Sequence, residues 1–102
     1  MRPVPLDWDA VVRKYSGGVR IPTVAGGKTL EITGADDSGV HIRNPLWRDT
    51  LAREHLTRAV ELVESERMSR HAGLFVEEYR ALVADVRATS AAHVLKDLGV
   101  LE

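Results

Sequence analysis

The string Ala25-Gly26-Gly27-Lys28-Thr29 ends as a phosphate-binding P-loop ends, with glycine, lysine and a hydroxyl in succession. The full pattern needs a further glycine at position 22, where Pro22 stands, and a following helix whose first amides face the phosphates. Leu30-Glu31-Ile32 follows instead and alternates as a strand does, so the glycines are expected to turn a hairpin. Four histidines, His41, His55, His71 and His93, belong to the residue type that titrates near neutral pH. None forms a His-x-x-x-His or Glu-x-x-x-His pair. His93 with Asp97, four residues on, offers one nitrogen and one oxygen, whereas zinc takes at least three protein ligands.

Nucleophilic chemistry has no better footing. Ser16, Ser38, Ser65, Ser69 and Ser90 lack a Gly-x-Ser-x-Gly elbow, and Ser90 before His93 suits a helix cap. Asp36-Asp37 sits in a turn and Glu77-Glu78 on a helix surface, where carboxylates are ordinarily solvated. The chain has no cysteine, which removes thiolate nucleophiles, disulfides and Cys-type metal centres. No catalytic residue, cofactor site or metal site is therefore expected, and the chain is not expected to be an enzyme.

Charge is balanced overall, with 14 basic and 15 acidic residues, but it is unevenly spread. Arg13, Lys14, Arg20 and Lys28 fall in a stretch from 11 to 30 that has no acid, which makes them candidate phosphate contacts. Four such contacts would give a log-log salt slope of only about −3.6, the mark of a weak binder. Trp8 and Trp47 are the candidate interface anchors, since tryptophan is enriched at binding hot spots.

These residues must be held by elements that the hydrophobic pattern outlines. With 44% hydrophobic and 28% charged residues, the 102-residue chain falls outside the disordered class and suits a single domain spanning 1–102. Asp7 can cap a short helix in which Trp8, Val11, Val12 and Tyr15 share a face. Val19 to Ile42 alternates in three segments, predicting an antiparallel meander near 19–44 with Ile21, Leu30, Ile32, Val40 and Ile42 on its apolar face. Pro22 cannot donate to a ladder, so its strand is expected at an edge or with position 22 facing solvent. Residues 44–51 leave two choices. Asn44 and Pro45 suit the start of a helix, and Trp47 to Leu51 suits a fourth strand.

Three helices are expected at about 52–65, 74–88 and 90–98, the last capped by Thr89 or Ser90 and stopped by Gly99. Residues 1–5 are expected to be loose. The fold class is thus α+β: a short N-terminal helix, a meander of three or four strands, then three helices packed on one sheet face.

The pattern Ile21-Pro22-Thr23, Gly27-Lys28, Ile32-Thr33, Gly39-Val40 and Ile42-Arg43, followed by Arg53-Glu54 and a Ser90 to Leu98 run, resembles a small bacterial α+β module. The resemblance implies the fold, a hairpin-rich sheet followed by helices, and no activity. The functional expectation is a non-catalytic binding or regulatory module acting through protein contacts, with another copy of the chain or another protein as partner. The alternative is a winged-helix-like DNA-binding regulator that uses the basic 11–30 stretch and the last helix. No apolar run is long enough for a membrane span and no leader pattern opens the chain, so a cytoplasmic protein without membrane contact is expected.

Overall fold

The computed structural model describes residues 6–24 and 26–102. The expectation of a loose segment at 1–5, and the Ala25 position of the first hairpin, lie outside the described residues. Helix α1 spans Trp8–Tyr15 and starts where the Asp7 carboxylate accepts the Ala10 N–H at 3.2 Å. Its i, i+3, i+7 spacing turns Trp8, Val11 and Tyr15 inward. It stops at Ser16-Gly17-Gly18, where Gly18 adopts φ +73.

Strands β1 (Val19–Pro22), β2 (Thr29–Asp36), β3 (Gly39–Arg43) and β4 (Arg48–Ala52) follow as an antiparallel meander in the order β1-β2-β3-β4. Pro22 is on edge strand β1 and exposed, as a residue without an amide hydrogen requires. Between β1 and β2, Gly26 and Gly27 take φ +78 and +77, and Thr23 N–H bonds to the Lys28 carbonyl at 3.0 Å. The Gly-Lys-Thr string is the end of a hairpin turn that enters a strand. Thr33 is the extra residue of a bulge, because Ile32 pairs with Ile42 while Gly34 pairs with His41.

The undecided segment resolves as the fourth strand. Asn44 is not a helix cap: its side-chain oxygen accepts from the Leu46 and Trp47 amides, at 2.8 and 3.0 Å, and closes the β3–β4 turn. Helix α2 (Arg53–Glu64) continues directly from β4, close to the expected 52–65, and buries Leu56, Ala59, Val60 and Val63 along one face.

Two helix boundaries need correction. Helix α3 spans Ala72–Leu82, not 74–88, and Leu82 and Val86 are 45% and 51% exposed rather than packed. Helix α4 spans Ala88–Asp97 and is not capped by Thr89 or Ser90; its N-cap is Arg87, in the left-handed region at φ 51. One tertiary feature accounts for both. Arg87 pairs with Asp49 on β4 and lies over the Trp47 ring, which draws the chain to the sheet edge before α4 begins. Gly99 stops the chain after α4 at φ +83, as expected.

The sheet face carrying Ile21, Leu30, Ile32, Val40, Ile42 and Leu51 is buried, with α2 against β3 and β4, α4 against β1, and α3 against α4. Leu56, Val63, Phe75, Tyr79, Val94 and Leu95 fill the space between. Each such side chain contributes roughly 1.5–3 kcal/mol by leaving water. Burial also pushes the Tyr79 hydroxyl pKa up to about 12. No helix among the described residues is long and apolar enough to cross a membrane.

Candidate functional site

Strand alternation that buries Ile21, Ile32 and Ile42 must send the next residues the other way. The pairing register sets Arg20 beside Glu31, Glu31 beside Arg43 and Arg43 beside Arg48, a row across all four strands. Arg43 Nε donates to Glu31 at 2.7 Å, and Arg20 stands 3.9 Å from the same carboxylate. Arg48 is exposed and has no ion-pair partner among the described residues. An open depression of about 680 Å³ lies over this row and runs to the β3–β4 turn.

That turn supplies the apolar end of the depression. Asn44 holds the backbone on both sides, since its N–H also donates to the Trp47 carbonyl at 2.8 Å. Leu46 is pushed out to 90% exposure at the tip. Trp47 is half-buried, with the Arg87 guanidinium 3.8 Å from its ring centroid. Arg87 Nε reaches Asp49 at 2.8 Å, and this bond, followed by the Thr50 amide, holds the Asp49 carboxyl below its usual range. The aromatic ring, the guanidinium and the carboxylate lock one another in place.

A second group on the outer face has the chemical types of a nucleophile relay. His41 Nε2 lies 2.7 Å from Asp36 and its Nδ1 lies 2.8 Å from the Thr50 hydroxyl. The Ser38 hydroxyl and then the His41 ring hold the Asp36 carboxyl well below the carboxylate range. Acyl or phosphoryl transfer also needs donors aimed at a developing oxyanion and a cavity for substrate. The depression just described is lined by neither His41 nor Thr50. What the network visibly does is tie the β2–β3 turn, through Asp36 and Ser38, to β4 through Thr50.

The remaining histidines are dispersed. His93 Nδ1 accepts the Val24 N–H at 3.0 Å, fastening the first hairpin to α4, and burial lowers its pKa. His55 lies on α2 and His71 precedes α3. Among the described residues no group of three His, Cys, Asp or Glu side chains is placed to hold a metal ion.

The four cations singled out from sequence do not converge. Arg13 is exposed on α1, and Lys14 is bound to Asp97 of α4 through its carboxylate at 3.2 Å and its carbonyl at 3.0 Å. Lys28 is exposed beside the first turn, and only Arg20 enters the row with Arg43 and Arg48. Helix α4 presents Thr89 and Lys96 outward, with Ser90, Ala91, Ala92, Val94 and Leu95 buried, so little of it is free to enter a groove. Of the two tryptophans, Trp8 is spent inside: it is 5% exposed and its indole N–H bonds to the Asp36 carbonyl at 2.8 Å. Trp47 alone has surface to offer.

Sequence reasoning missed Arg43, Arg48 and Leu46. Arg43 was within reach, because it directly follows Ile42 as Arg20 directly precedes Ile21. Arg48 was not, because its facing depends on β4 being a strand. No protein-family model, no curated protein and no solved structure matches the chain.

Proposed function

We propose that the protein is a non-catalytic binding module that acts through protein contacts made by the open face of its sheet. The observation that carries this reading is the Arg20–Glu31–Arg43–Arg48 row, uncovered by any helix among the described residues and bordered by the exposed Leu46. Arginine and tryptophan are the types that dominate binding energy at protein interfaces, and here Trp47 is already immobilised by its neighbours. A second copy meeting this face head-on would bring like charges together. Self-association would therefore use another surface.

One observation favours a second reading, a nucleic-acid binder: Arg20 shares its row with two more guanidinium groups suited to phosphate. Three phosphate contacts would give a salt slope of about −2.7, and Glu31 in their midst would oppose a phosphate backbone. The two readings separate in one titration. A labelled mixed-sequence duplex is titrated at about 50 and about 200 mM salt with the native protein and with Arg43→Glu/Arg48→Glu. The protein-contact reading expects no duplex binding that depends on these arginines. Binding that the double variant abolishes would replace it with the nucleic-acid reading.

A further inference from the structure

The open face has a charged part and an apolar part, and a ligand that fits must answer both. Glu31 stands between Arg20 and Arg43, and Arg48 lies beyond Arg43, so the row carries an excess of positive charge. Glu31 grips Arg43 at Nε, the inner nitrogen of its guanidinium, and the terminal nitrogens keep their donors for a ligand carboxylate. Arg48 adds a guanidinium without a described acidic partner, one strand further toward the turn. Leu46 and the rim of Trp47 then present apolar surface at the end of the same depression. A phosphate backbone uses the first part and leaves the second idle.

We propose that this face binds an extended acidic peptide segment of a partner protein, its carboxylates on Arg43 and Arg48 and an apolar side chain against Leu46 and Trp47. The proposal rests on the open-face reading above and names its occupant. The dimensions agree. The row spans three inter-strand spacings of about 4.8 Å, roughly 14 Å in all, which four or five extended residues cross. Glu31 contributes selectivity, because a basic segment would find one carboxylate and three like charges.

The test follows backbone amide and Trp47 indole shifts of the ¹⁵N-labelled protein against three probes. These are a blocked acidic hexapeptide of glutamate and leucine, the same peptide with lysine for glutamate, and a mixed-sequence DNA duplex. The acidic peptide is expected to shift Glu31, Arg43, Leu46, Trp47 and Arg48. Its affinity should fall about tenfold in Arg43→Glu/Arg48→Glu and fall again in Leu46→Ser, in variants whose spectra show the native fold. Equal binding of the lysine peptide would overturn the acidic specificity. Duplex binding to these residues without peptide binding would overturn the peptide while leaving the open face as the binding surface. Shifts confined to other surfaces with every probe would overturn both.

Discussion

The two faces of the sheet are built from the same strands with opposite rules. On one face Ile21, Ile32 and Ile42 are sealed under helices, and adjacent residues differ in position by a single step along the chain. On the other, Arg20, Glu31 and Arg43 meet water. The inner face derives its stability from volume and shape, which tolerate little change. The outer face holds charges whose mutual attraction is screened by water, so replacing one costs the fold little. Apolar packing and exposed charge are thus separated by the thickness of one strand.

The sharpest way to break the contrast is at Gly39, where a Cβ would sit 2.1 Å from the Leu51 carbonyl oxygen of the neighbouring strand. Gly39→Ala should cost roughly 3 kcal/mol or more by prying β3 from β4, and denaturant unfolding will measure it. Next comes Ile42→Ala, expected to cost about 2–5 kcal/mol as a cavity in the core. Its neighbour Arg43→Ala should cost less than about 1 kcal/mol, and comparable losses from the two would deny that the faces differ.

Arg87→Ala tests the rim between them. Removing the guanidinium frees Trp47 and leaves Asp49 without its partner, so a loss of about 1 kcal/mol and a red-shifted tryptophan emission are expected.

Acid separates the two regions more gently. Burial lowers the His93 pKa from 6.5, so the folded state resists a proton that the unfolded chain accepts. Stability should be full above pH 6.5 and decline as pH falls from there toward the lowered value. Asp36 and Asp49, whose pKa values lie below 3.8, should withdraw their contribution only as pH drops under that figure. His93→Gln should erase the upper decline and spare the lower, as followed by thermal unfolding across pH.

Much of the fold was legible because local rules sufficed. Asp7, Gly99, Pro22 and the Ile21 to Ile42 alternation each announced an element through the conformation that residue type prefers. The failures lie where a distant partner decides. Val83 and Val86 continue a helical spacing, yet Arg87 is claimed by Asp49 and Trp47, residues some forty positions earlier. The candidate site suffered the same way. Arg13, Lys14, Arg20 and Lys28 are close in sequence but scattered in space, whereas Arg20, Arg43 and Arg48 are remote in sequence and share one row. Only the pairing register reveals that row, and register was unreadable while 44–51 was undecided.

The bond from the Tyr15 hydroxyl to the Asp97 carboxylate, at 2.6 Å, carries a consequence for the order of assembly. Helix α1 is thereby tied to α4 across 82 positions of the chain, and Lys14 binds the same residue. Helix α1 also rests on β2, where the Trp8 indole N–H bonds to the Asp36 carbonyl, and because contacts so distant in sequence are slow to close, its tie to α4 is expected to form after its seat on the sheet. A chain truncated after Leu82 should show Tyr15 titrating in the ordinary tyrosine range, in place of the upward shift that burial and Asp97 impose.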